Sequence, residues 1–69
     1  MFRNTYTFTV GMEHKFTVAA ILEKLNIKKY RLLVDDHCDI IVDFNANRKE
    51  CNQVVDKLKK YMNVQAYVA

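Results

Sequence analysis

The chain has 69 residues, of which 51% are hydrophobic and 28% are charged, and its 11 basic and 8 acidic side chains give a net charge of +3. This length is enough for one small domain, 1–69. The composition excludes a disordered chain. The lack of a long apolar run excludes a membrane-spanning helix. The first residues, Met1 to Tyr6, lack the apolar core of a signal peptide, so we expect a cytoplasmic protein with no membrane contact.

The first predicted element is a strand. Between Phe2 and Met12 the apolar residues fall mostly on even positions, and threonines and Arg3 fill the odd ones, which is the pattern of a half-buried strand. A helix is predicted next, ending near Asn26. Its apolar stripe has helical spacing and consists of Val18, Ile21, Leu22 and Leu25.

Two further strands are predicted at 30–34 and 38–44, because apolar residues alternate with polar ones in both. A loop of three or five residues keeps both apolar sets on one face of the hairpin. One such register places Leu33 opposite Ile41, which is an apolar pair, and Arg31 opposite Asp43, which is an ion pair.

The second helix is the clearest element of the sequence. Asn47 and Glu50 have the spacing of a capping box at its start, and Asn63 is suited to close it in the left-handed conformation. A final edge strand is predicted at 64–68. The buried stripe of the helix is predicted to contain Cys51, Val54, Val55, Leu58, Tyr61 and Met62.

The order strand, helix, strand, strand, helix, strand predicts an α+β fold, the ferredoxin-like βαββαβ sandwich. Right-handed crossovers then give a four-stranded antiparallel sheet with the first and third strands in the middle and two helices on one face. The other face of the sheet is left uncovered.

That uncovered face carries apolar groups among charged ones, which is the pattern of a protein interface. We therefore interpret the chain as a small non-enzymatic interaction module that binds another protein, or a second copy of itself, through the exposed sheet face or an edge strand. Its size and composition also resemble those of small phage or plasmid inhibitors of host machinery, such as anti-CRISPR proteins. The predicted protein-binding residues are Arg3, Arg31, Leu33, Ile41, Asp43 and Tyr67.

A metal site is the first alternative function. His14, His37 and Asp36, together with further loop carboxylates, are expected at one end of the sheet, and imidazole with carboxylate can ligate Zn²⁺, Ni²⁺ or Cu²⁺. Polar loop tips also occur for solvation alone, so no metal and no cofactor is assigned.

Weak nucleic-acid binding is the second alternative, and catalysis is not expected. Tyr6 and Phe8 are predicted to face the helices, so the central strands offer no rings on which bases could stack. Cys38 and Cys51 are predicted to be small core residues rather than nucleophiles, and the chain contains no serine and no glycine-rich phosphate loop.

Residues 11–18, Gly-Met-Glu-His-Lys-Phe-Thr-Val, resemble the opening of the heavy-metal-associated domains of copper chaperones and metal-transporting ATPases. Residues 41–44 are similar to the third strand of that family, whose fold is also ferredoxin-like. The two cysteines of the family's CxxC motif would fall on His14 and Thr17, and the hairpin is about two residues shorter. Because thiolates hold Cu(I) in that family, the resemblance implies the fold without its metal-trafficking mechanism.

Overall fold

The computed structural model describes residues 3–69, so Phe2, which the alternation assigned to the first strand, lies outside the described residues. A single 3₁₀ turn, Met12–His14, joins the first strand to the first helix. The regular elements are β1 (Asn4–Gly11), α1 (Lys15–Lys24), β2 (Tyr30–Val34), β3 (Asp39–Ala46), α2 (Arg48–Leu58) and β4 (Tyr67–Val68).

The four strands form one antiparallel sheet in the order β2-β3-β1-β4, which confirms the predicted ferredoxin-like fold with its first and third strands in the centre. The hairpin register is also confirmed, because Leu33 lies opposite Ile41 and Arg31 lies opposite Asp43. β1 and β3 pair over their whole length, from Asn4 opposite Ala46 onward.

The core lies between the sheet and the two helices. Phe44 stands at its centre and stacks on Tyr6 with ring centroids 5.8 Å apart, while Phe8 meets the same ring edge-on at 5.9 Å. Within residues 3–69 no polar or charged side chain is buried. The largest side chains that are fully buried are Phe44, Leu22, Ile40, Leu58, Val18, Val42 and Val54.

α1 ends two residues earlier than predicted, and Asn26 is the reason. Asn26 has a φ of 62°, the left-handed conformation that asparagine tolerates better than most residues. Its N–H donates to the Glu23 carbonyl at 3.0 Å, and the N–H of Ile27 donates to the Leu22 carbonyl at 2.9 Å. This is a Schellman motif, and Ile27 is buried beneath it.

The prediction that Cys38 faces the core is wrong. β3 begins at Asp39, and Cys38 is an exposed residue of the hairpin turn with a φ of 62°. The Asp35 N–H donates to the Asp39 carbonyl at 2.9 Å and closes a three-residue loop. Such loops end in a left-handed residue, and that position falls on Cys38.

The start of α2 is as predicted, and its end is not. The N–H of Glu50 donates to Asn47 Oδ1 at 2.8 Å and the N–H of Asn47 donates to Glu50 Oε1 at 3.0 Å, which confirms the capping box. The helix ends at Leu58 in tighter turns, in which the Tyr61 N–H donates to the Leu58 carbonyl at 2.9 Å. Tyr61 therefore leaves the buried stripe and is exposed, and Asn63 is not left-handed.

The apolar alternation overestimates burial at the ends of the sheet. β4 has two residues instead of five, and Val68 is 61% exposed although Val64 is buried. Val34, at the end of the other edge strand, is 59% exposed. Met12 is exposed because β1 ends at Gly11 and the chain turns there. The parity is correct at Val68 and Val34, which lie opposite the buried residues Tyr6 and Ile40, but both side chains are left uncovered.

Candidate interaction surface

The side of the sheet that the helices leave uncovered is called the open face. Burial alternates along β3 between half-buried and buried, so the odd-numbered residues belong to this face and the even-numbered ones belong to the core. The described side chains of the open face are Thr5, Thr7 and Thr9 on β1, Arg31 and Leu33 on β2, Asp39, Ile41, Asp43 and Asn45 on β3, and Tyr67 on β4.

The register brings Leu33 and Ile41 together but leaves Tyr67 apart. Leu33 is 44% exposed and lies directly opposite Ile41, which is half-buried. Tyr67 is exposed on β4, at the other edge, three strand spacings from β2. At about 4.8 Å for each spacing, roughly 14 Å of threonine-rich sheet separates Leu33 from Tyr67. Of the three apolar residues predicted for the interface, the structure therefore brings together only Leu33 and Ile41.

An ion pair lies beside this apolar pair. Arg31 Nη2 donates to Asp43 Oδ2 at 3.0 Å, and the arginine side chain is largely exposed. The hydrogen bond from Arg31, and a second one from the Thr7 side chain, hold the pKa of Asp43 below its usual value. Asp43 therefore remains ionised at neutral pH and offsets the charge of Arg31 at the middle of the open face.

Arg3 is held by the fold itself at the end of the open face. Its Nε donates to Asn45 Oδ1 at 2.8 Å and its Nη2 to the Asn45 carbonyl at 3.2 Å. Its Nη1 lies 2.9 Å from Glu50 Oε1, the oxygen that also completes the capping box of α2. The main role of Arg3 is therefore structural, because it joins β3 to the start of α2. A place at the rim of an interface is secondary.

Sequence reasoning missed several exposed apolar residues outside the open face. Phe16, the second residue of α1, is 82% exposed, and Val34 protrudes at the end of β2. The position of Val34 at a sheet edge beside a turn is a signal that could have identified it. The predicted stripe of the first helix is the signal for Phe16, because position 16 falls on the opposite side of the helix from Val18 and Leu22.

The candidate metal ligands lie on two neighbouring turns, which the hydrogen bond from the Met12 N–H to the Cys38 carbonyl joins. His14 is half-buried at the end of the 3₁₀ turn, whereas Asp36 and His37 are exposed in the hairpin turn. Asp35 Oδ1 accepts the N–H groups of Asp39 at 3.0 Å and His37 at 2.8 Å, which lowers the pKa of this carboxyl and fixes it as part of the turn. No group of three histidine, cysteine or acidic side chains that could hold a metal ion is found among residues 3–69.

The open face also lacks the features of a base-stacking surface. Tyr6 and Phe8 are buried on the core side, as predicted, and Asp39 and Asp43 lie on the open face, where they oppose a phosphate backbone. Burial raises the pKa of the Cys51 thiol, which makes it a poor nucleophile. No helix in the described part of the chain is long and apolar enough to span a bilayer.

The fold is shared with known structures, although no protein-family model matches the sequence and no curated protein matches it either. The apo form of CPII from Thiomonas intermedia K12, a nitrogen regulatory PII-like protein, gives a TM-score of 0.79 at 10% identity, over 99% of this chain and 88% of that one. CPII bound to ADP, AMP and bicarbonate gives 0.77 at 10% identity, over 97% and 90%.

A Thermus thermophilus protein described as a PII-like signalling protein is similar to the same degree. Its TM-score is 0.78 at 13% identity, over 97% of this chain and 83% of that one. At these identities the likeness shows the fold alone. The heavy-metal-associated resemblance of residues 11–18 is accordingly supported at the level of the ferredoxin-like fold and no further.

Proposed function

We propose that this chain is a non-enzymatic protein-interaction module that binds through the open face of its sheet and the adjoining edge strands. The observation that carries the proposal is the Leu33–Ile41 pair, an apolar contact that lies uncovered beside the Arg31–Asp43 ion pair. An apolar centre with a charged rim is the usual composition of a protein interface.

The chemistry of the described residues supports binding over catalysis. The interior between residues 3 and 69 contains no buried polar or charged side chain, and active sites depend on such groups to shift pKa values. The similar structures include proteins described as PII-like and signalling. A signalling role for this chain agrees with a module that recognises a partner and transforms no substrate.

The module can act in two ways. As an adaptor it joins two copies of itself, and as an inhibitor of phage or plasmid type it occludes the surface of a larger protein. The charge pattern along β2, with lysines before the strand and aspartates after it, favours self-association. A larger partner is the outcome to look for if the chain proves to be monomeric.

The proposal is tested by comparing three forms of the chain in quantitative affinity capture from its native cell extract. The double variant Leu33→Glu/Ile41→Glu places two charges on the open face, whereas the control Phe16→Glu places one at an exposed position of α1. We expect a partner protein to be retained at least 10-fold less by the double variant and equally by the control. Equal retention by all three folded forms contradicts the proposal.

A further inference from the structure

We infer that two copies of this chain associate by pairing their β2 edges antiparallel, so that one sheet continues across a two-fold axis. The inference rests on the proposed function and identifies the partner as a second copy and the surface as the β2 edge. That edge consists of the outward backbone of Tyr30–Val34 and the charged residues on either side of it.

The backbone of β2 has a defined outward side. Asp35 N–H donates to the Asp39 carbonyl and Asn45 N–H donates to the Lys29 carbonyl, both at 2.9 Å, so positions 29 and 35 direct their peptide groups toward β3. Hydrogen-bonded pairs alternate along an antiparallel ladder. The residues whose N–H and C=O groups point away from the sheet are therefore Tyr30, Leu32 and Val34.

The charge pattern around β2 is complementary to itself. Lys28 and Lys29 precede the strand, and Asp35 and Asp36 follow it. When two such strands pair antiparallel, the basic start of one meets the acidic end of the other. Parallel pairing sets like charges side by side. Opposite charges across a strand pair stabilise it, and like charges destabilise it.

Three antiparallel registers pair at least two of these outward residues, and their two-fold axes pass through residues 31, 32 or 33. An axis at Arg31 sets two guanidinium groups opposite each other, and an axis at Leu33 places Tyr30 opposite the turn residue Asp36. An axis at Leu32 overlaps all five residues of the strand. It also places Lys29 opposite Asp35 of the second copy. Charge and overlap therefore select residue 32.

This register also covers the exposed apolar residues of the edge. Val34, 59% exposed, comes to lie opposite Tyr30 of the second copy on the core side of the sheet, which is a favourable aromatic and β-branched pair. Leu33 comes to lie against the hydrocarbon stem of Arg31 of the second copy. Val34, which is exposed in the single chain, is thus covered by the second copy in the dimer.

Mass measurement tests the inference directly. We expect sedimentation equilibrium of the reduced chain to show a doubling of mass with a dissociation constant on the order of 10–100 µM, as for a small interface. The association is expected to weaken several-fold between about 0.05 M and 1 M salt, because its charges are exposed. A chain that stays monomeric to about 500 µM at low salt overturns the inference.

Matched proline variants then locate the edge. Val34→Pro removes an outward N–H of β2 and leaves the ladder to β3 intact, so we expect association to weaken at least 10-fold. Val68→Pro is the control on the other edge. The Ala69 N–H donates to the Thr5 carbonyl at 2.8 Å, so the N–H of Val68 also points outward. Association lost in Val68→Pro and retained in Val34→Pro assigns the interface to β4 and overturns the inference.

Charge reversal at two exposed positions tests the register without altering the strand. Lys28→Glu and Asp36→Lys each create like-charged pairs in a homodimer, so each alone is expected to associate about 3- to 10-fold more weakly. Mixed together, the two variants restore the opposite charges at both ends of the strand pair and are expected to associate as the original chain does. A mixture that associates no better than either variant alone overturns this register.

Failure of the inference can be distinguished from failure of the proposed function. A monomeric chain that still captures a different protein through Leu33 and Ile41 overturns the self-pairing and leaves the module in place. A dimer that survives Leu33→Glu/Ile41→Glu but not Val34→Pro supports the self-pairing and limits the proposed binding surface to the edge strand, because the open face then takes no part.

Discussion

β2 and β4 form the two edges of the same sheet, yet they differ in length, connection and charge. β2 pairs with β3 over five positions through a short hairpin, whereas β4 pairs with β1 over two and returns from α2 through an irregular segment. Charged residues flank β2 on both sides, and none occurs between Met62 and Ala69. Both edges have the same apolar alternation in sequence.

The difference shows that alternation specifies which side of a strand is buried but not how long the strand is. β2 gains its length from a partner only a few residues away, so little chain entropy opposes the pairing. β4 must find β1 across most of the chain, and it is held by two register pairs and the hydrogen bond from Ala69 to Thr5. Three changes test this contrast.

The largest effect is expected from Phe44→Ala, which removes the ring that lies opposite Tyr30 of β2 and packs between Tyr6 and Phe8. Loss of a buried phenylalanine costs about 3–5 kcal/mol. Urea unfolding followed by circular dichroism is expected to show this loss, and the control Val68→Ala on β4 is expected to cost less than about 0.5 kcal/mol. A loss below about 1 kcal/mol for Phe44→Ala contradicts the position of this ring at the centre of the core.

A smaller gain is expected from Cys38→Gly. Cys38 holds the left-handed position of the hairpin turn, where glycine has no steric penalty, so the replacement is expected to stabilise the fold by about 0.5–1 kcal/mol. His37→Gly, at a position without positive φ, is the control and is expected to destabilise. The same unfolding measurement serves for both, and a destabilising Cys38→Gly contradicts the role of the turn.

The smallest effect is a pH dependence confined to the β2 side. The pKa of Asp43 is lowered in the folded state, chiefly by the hydrogen bond from Arg31. The ionised carboxylate therefore adds to the free energy of unfolding in full above its unfolded pKa of about 3.9, and this contribution is lost as pH falls through the lower folded value. Because Arg31 is largely exposed, the contribution of this ion pair to stability is limited to about a few tenths of a kcal/mol. Unfolding between pH 6 and 2 is expected to show less loss on acidification for Asp43→Asn than for the original chain. Equal slopes contradict the ion pair.

Local patterns predicted much of this structure. The alternation in β1 and β3, the capping box at Asn47, and the pairs Leu33–Ile41 and Arg31–Asp43 all follow from residues close in sequence or from one register. The left-handed turn position of Cys38 was not predicted, because its sequence also fits the continuing strand.

Long-range contacts account for the remaining differences. Arg3 reaches residues that lie more than 40 positions away, and no local pattern encodes that choice. Whether a helix extends over Val34 or Val68 depends on helix length and placement, which parity cannot specify. The pairs Leu33–Ile41 and Arg31–Asp43 were placed correctly because the hairpin register defines them.

The nearly uniform apolar character of the interior has a consequence for uniqueness. Between residues 3 and 69 no side-chain amide or carboxylate is buried that would reject a strand sliding by two residues, since such a slide keeps every apolar side chain on its own side. The stops must therefore lie outside the core, at Asn26, at Cys38 and at the Asn47–Glu50 box. In this protein the turns and helix caps set the register of the strands, and the apolar core is compatible with more than one alignment.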